Sequence, residues 1–151
     1  MKLEGKIALV TGANTGIGRF TALHLARAGA TVLIHGRSAE RIASVLDEIR
    51  SAGGKAEPLF ADLASLATIA PMAARASELA GGAIDIVVLN AGLCKNCMGA
   101  TDAGFEMTGV RRCCYCRLAI CSAFRIGACP FGSPPLCPNA IAAMPANVGW
   151  V

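Results

Sequence analysis

The chain has 151 residues, 54% of them hydrophobic and 16% charged, and carries a net charge of +4. That is enough for one domain with a real core, and no apolar run reaches the roughly 18 residues that a membrane helix needs. The charge excess is confined to one region: residues 1–106 balance ten Lys+Arg against ten Asp+Glu, whereas 107–151 hold Arg111, Arg112, Arg117 and Arg125 and no carboxylate, too scattered to form a nucleic-acid-binding face.

The N-terminus, Met1-Lys2-Leu3-Glu4-Gly5-Lys6, lacks the apolar core of a secretory signal, and the expectation is a cytoplasmic protein. Lys6–Val10 reads as a buried parallel strand. It runs into Gly12-Ala13-Asn14-Thr15-Gly16-Ile17-Gly18, and a helical pattern leaves over Gly16–Ala28. A strand, a glycine-rich turn and a helix together present backbone N–H groups and a positive helix end to a pyrophosphate. The spacing is Gly-x-x-x-Gly-x-Gly and not Gly-x-Gly-x-x-Gly, yet the glycine roles carry over. Gly12 permits the tight turn, Gly16 lets the backbone approach phosphates, and Gly18 lets the helix lie close to the strand.

Gly29 stops the first helix, and Thr31–Ile34 reads as the second strand. Ser38 is a natural N-cap for a helix to Arg50 or Ser51, with Ile42, Val45, Leu46 and Ile49 on one face. Gly53-Gly54 ends it. Ala56–Phe60 is the third strand, at an edge because of Pro58, and a helical stretch follows through Leu66, Ile69, Met72, Ala73 and Leu79. Asp85–Leu89 is the fourth strand, bounded by Gly81-Gly82 and Asn90-Ala91-Gly92. Strands alternating with helices predict βαβ units and a parallel sheet. Beyond about residue 108 the periodicity stops in a Cys- and Pro-rich segment.

Three of these segments together resemble the short-chain dehydrogenase/reductase family over residues 3–108. Thr11-Gly-Ala-Asn-Thr-Gly-Ile-Gly18 is similar to its cofactor motif. Asp62-Leu63 stands where the family contacts the adenine ring. Asn90-Ala91-Gly92 resembles its Asn-Asn-Ala-Gly motif, with Leu89 in place of the first Asn. Asp102-Ala-Gly-Phe-Glu-Met107 is similar to retinol-dehydrogenase-like members. The resemblance implies the N-terminal part of a doubly wound α/β (Rossmann) domain with strand order 3-2-1-4, and NAD(P)-dependent hydride transfer on a carbonyl/alcohol pair. Gly12, Asn14, Thr15, Gly16, Ile17, Gly18, Asp62, Leu63, Asn90, Ala91 and Gly92 are its expected cofactor-binding residues.

Cofactor preference follows from charge. NAD-preferring members place a carboxylate after the second strand for the ribose 2′-OH; here the residues are His35-Gly36-Arg37, and the Arg37 guanidinium suits a 2′-phosphate. NADP is expected over NAD. His35 reads as a partly buried strand-end residue, and His24 as structural.

The family's catalytic machinery is a Ser, a Tyr, a Lys four residues after it that lowers the phenol pKa, and an Asn in the helix after the Asn-Ala-Gly segment. None of these has a counterpart. The single tyrosine, Tyr115, is followed four residues on by Ala119, no lysine follows Lys95, Arg111-Arg112 stand where the Asn is due, and the family's Tyr would fall beyond Val151. The expectation is therefore a truncated and inactive relative that binds nucleotide. With no strand beyond the fourth, that strand is an apolar edge open to oligomerisation or aggregation.

The tail from 109 to 151 admits two readings. Cys is encoded TGY and Tyr TAY, so Cys113-Cys114-Tyr115-Cys116 read from each codon's third base becomes a run of leucines, as an out-of-frame translation would give. The alternative is a zinc module: Cys94-x-x-Cys97 and Cys113-x-x-Cys116, fifteen residues apart, have the spacing of a four-cysteine site.

Overall fold

The computed structural model describes residues 2–92. Within them the chain alternates strand and helix: β1 (Ile7–Val10), α1 (Gly16–Arg27), β2 (Thr31–Gly36), α2 (Ala39–Ser51), β3 (Lys55–Phe60), α3 (Leu66–Leu79) and β4 (Ile86–Val88). The strands pair in parallel in the order β3-β2-β1-β4, as the sequence predicts.

Strand alternation splits the buried side chains between two layers. Ala8, Val10, Val32 and Ile34 face α1 and α2, where they meet Ala22, Leu23, Ile42, Val45 and Ile49. Leu9, Leu33 and Leu59 face α3 and pack with Ile69, Met72 and Ala76. Both faces of β1 and β2 are thus covered, which is why those strands are continuously apolar. Full burial of each large aliphatic chain contributes roughly 2 kcal/mol.

Helix boundaries follow local chemistry. The Ser38 hydroxyl accepts the Arg41 N–H at 3.4 Å and caps α2. Gly29 and Gly53 adopt the left-handed conformation after α1 and α2, at φ +99° and +78°, where a side chain would be strained. At the amino ends of the strands, the Asp85 carboxylate accepts both the Lys6 ammonium at 2.7 Å and the Ile7 N–H at 2.9 Å, tying the entries of β1 and β4 together. These donors hold the Asp85 carboxyl below its ordinary pKa, the Lys6 hydrogen bond first and the Ile7 N–H second.

β1, α1 and β3 each differ from expectation by one residue at one end, and two strands differ by more. β2 runs on through His35 and Gly36, paired with Leu59 and Phe60 of β3. β4 is shorter than Asp85–Leu89, because the Asp85 side chain is committed to β1 and the Asn90 N–H turns back to the Val88 carbonyl at 3.1 Å.

Candidate functional site

The candidate residues that are described lie past the carboxyl ends of the strands, the edge where open parallel α/β sheets bind ligands. The β1–α1 turn is the centre. Gly12 has φ +64°, and a Cβ there would stand 2.9 Å from the Ala91 Cα. Gly18 is more constrained: an added Cβ would lie 2.4 Å from both the Asn90 Nδ2 and the Gly12 carbonyl oxygen. Gly18 therefore lets α1 close down on the turn and on Asn90. Gly16, at φ +53°, meets nothing within 4 Å, so its surroundings are open to a bound molecule.

Asn90 and Thr11 fix the β4 side of this turn. The Asn90 Nδ2 donates to the carbonyls of Thr11 at 3.0 Å and Gly12 at 3.2 Å. The buried Thr11 hydroxyl accepts the Ala91 N–H at 3.0 Å and donates to the Val88 carbonyl at 3.3 Å. Gly12, Gly18, Asn90 and Ala91 are thus one packed unit.

The β2 side is held by a residue that the sequence undervalued. His35 is 2% exposed, not partly buried as expected. Its Nδ1 accepts the Gly12 N–H at 3.3 Å, its Nε2 lies 3.2 Å from the Ala61 carbonyl, and its own carbonyl accepts the Ala13 N–H at 2.9 Å. A carbonyl only accepts, so Nε2 carries the proton and the ring is neutral. Burial, the largest influence, pushes its pKa down; the Ala61 bond and the Asp62 charge push it up less, and Arg37 pushes it down. The partners are 23 and 26 residues away in sequence, which no local pattern reveals. His24, by contrast, is exposed on α1 and bonds only the Phe20 carbonyl one turn back.

Asn14 folds over Gly36: a Cβ on Gly36 would sit 3.2 Å from the Asn14 side chain. Arg37 leaves β2 exposed, with its guanidinium 4.0 Å from the Asp62 carboxylate, a solvated pair worth little on its own. Asp62 also accepts the Ala64 N–H at 3.0 Å. Leu63 is buried among the residues facing α3, so its side chain looks into the core and not toward the open edge. Thr15, Gly16 and Ile17 stand in solvent, Ile17 at 79% exposure.

The start of α1 carries the electrostatic character of the site. Thr15 sits at the N-cap in extended conformation without a side-chain cap bond, and the first turn has no acidic residue. The leading N–H groups therefore face outward with the helix dipole's positive end, the arrangement that suits an anion. A pyrophosphate fits these donors, and the open space at Gly16 admits it.

Cys94, Cys97, Cys113, Cys116, Tyr115 and the Asp102–Met107 segment lie outside the described residues. Among the described residues no helix is long and apolar enough to cross a membrane.

A short chain dehydrogenase family profile matches residues 6–114. Human retinol dehydrogenase 13 is 38% identical over 107 residues, 70% of this chain and 32% of that protein. Among solved structures, a metagenomic short-chain oxidoreductase in complex with NADP superposes with TM-score 0.66 at 29% identity, covering 82% of this chain and 56% of that one. A 7α-hydroxysteroid dehydrogenase complexed with NADH and a 7-oxo bile acid superposes with TM-score 0.58 at 38% identity, covering 61% and 36%. The chain spans about a third of the length of the curated relatives it matches.

Proposed function

The chain belongs to the short-chain dehydrogenase family, and on that premise we propose that residues 2–92 form a binding site for the adenosine and pyrophosphate parts of NADP. Gly12, Asn14, Thr15, Gly16, Ile17 and Gly18 would take the pyrophosphate at the start of α1. Arg37 would take the 2′-phosphate, Asp62 and the Leu63 backbone the adenine, and Asn90, Ala91 and Gly92 the inner ribose edge. The observation that carries this reading is the uncapped, acid-free start of α1 beside the open Gly16. When bound, the nicotinamide supplies a hydride acceptor or donor for a carbonyl/alcohol pair.

Arg37 with no carboxylate at residues 35–38 supports NADP over NAD. Calorimetric titration of the 151-residue chain tests this: we expect NADP to bind at least about tenfold tighter than NAD, and Arg37→Ala to remove that margin while leaving NAD affinity unchanged. Equal affinities in the unsubstituted chain would overturn the NADP reading.

The chemical step is absent from these 151 residues in this reading, since no Tyr-x-x-x-Lys pattern occurs in them. The chain alone should bind nucleotide without turning over an alcohol or a ketone. We also propose that the change of register near residue 108 marks an out-of-frame tail and that the β4 side of the sheet self-associates. Reading the coding DNA in all three frames decides the first: a shifted frame that continues into Ser and Tyr-x-x-x-Lys supports it, and closed or patternless frames overturn it and direct attention to zinc at the cysteines.

A further inference from the structure

We infer that His35 is a positioning residue for the dinucleotide site, holding the glycine turn in its binding geometry only while the imidazole is neutral, so that nucleotide affinity falls on acidification. This rests on the nucleotide-site reading above. The ring bridges the backbone of Gly12, in the turn that would meet the phosphates, and the carbonyl of Ala61, which leads into the adenine-side turn at Asp62. Side chain and main chain of this one residue together fix two successive amides of the turn, Gly12 and Ala13.

Protonation breaks this arrangement in a defined way. With Nε2 already donating to Ala61, the incoming proton must go to Nδ1, which then sets a donor against the Gly12 N–H. Ala91 approaches Gly12 closely, since a Cβ added there would stand 2.9 Å from the Ala91 Cα. Relief requires the turn that would meet the phosphates to shift away from the ring. The charged groups acting on the ring are the Asp62 carboxylate and the Arg37 guanidinium. The glycine turn (residues 11–18) and the first turn of α3 (residues 66–70) contain no charged residue. A cationic ring would by itself attract phosphate, so a purely electrostatic effect has the opposite sign from the geometric one.

The test is NADPH titration of the full chain by fluorescence from pH 8 to pH 5, beside His35→Asn, which retains an acceptor at the δ position and does not titrate. The Asn variant records the contribution of the ligand's own phosphate. We expect the unsubstituted chain to lose about tenfold more affinity than the variant across this range, the worth of one broken hydrogen bond. Parallel profiles, or binding that strengthens in acid relative to the variant, overturn the inference and leave the nucleotide site standing. Absence of NADPH binding at every pH overturns both. Should the variant fail to fold, ring ¹⁵N shifts of the unsubstituted chain decide: the inference requires the Nε2–H tautomer, a Gly12 amide that shifts with the His35 titration, and a ring pKa that falls when NADPH binds. An Nδ1–H tautomer or a ring indifferent to NADPH rejects it.

Discussion

α1 and α2 both start at the carboxyl edge of the same sheet, one strand apart, and they start differently. Ser38 caps α2 with its own hydroxyl, and Glu40 sits in the first turn against the helix dipole. Thr15 leaves α1 uncapped, and no acid follows. One helix is completed by its own side chains, while the other starts without a side-chain cap or a first-turn acid. Since an internal cap contributes about 1 kcal/mol, the bare start of α1 is a stability deficit that an anionic ligand can offset.

The largest effect should come from closing the α1 turn. Gly18→Ala places a methyl against backbone and Asn90, and we expect a loss of about 2–3 kcal/mol in denaturant unfolding together with loss of NADP binding. Gly16→Ala meets no atom and carries only the positive-φ penalty, about 1–2 kcal/mol, so equal destabilisation by the two would contradict the packing described. Giving α1 the cap it lacks should move stability and binding in opposite directions. Thr15→Asp is expected to stabilise the chain by up to about 1 kcal/mol and to weaken NADP about tenfold or more through charge repulsion. If both rise together, the start of α1 is not the anion site.

Removing the cap of α2 is a smaller change. Ser38→Ala should cost about 1 kcal/mol, read as a lower Tm, whereas Thr15→Ala should leave Tm nearly unchanged because no cap bond is lost. The smallest effect is the pH dependence of stability. The His35 pKa is depressed below its ordinary 6.5, so the neutral ring's contribution is complete above that value and is lost as pH falls through the lower folded-state value. The Asp85 carboxyl is depressed below 3.8 and acts in a separate, more acidic window, its contribution present above 3.8 and lost as pH falls through its own folded-state value. Asp85→Asn should lower stability above 3.8 and flatten that acidic limb of the stability–pH curve, and His35→Asn should flatten the limb below 6.5.

The strand order, the helices and the clustering of the candidate residues at one edge were legible in the sequence, because apolar periodicity and the glycine turn are local signals. The Ser38 cap and the edge position of Pro58 were legible for the same reason. The extension of β2 through His35 was not. A histidine after an aliphatic run reads as a strand end, and only distant contacts with Gly12 and Ala61 make burial of an imidazole tolerable. Leu63 illustrates the converse: its motif position suggests a ligand contact, yet the side chain completes the layer facing α3.

Pro58 has a consequence for assembly. β3 is the outer strand on its side of the described sheet, and its ladder with β2 runs unbroken past a residue that has no N–H to give. Exposed Lys55 and Glu57 precede that gap, so a strand arriving from outside finds an interrupted, charged template there. The opposite outer strand, β4, is Ile-Val-Val and offers an uninterrupted apolar one. Among the described residues, the two outer strands thus offer different templates to an added strand. A complementing peptide supplied in trans should insert beside β4 and be refused at β3.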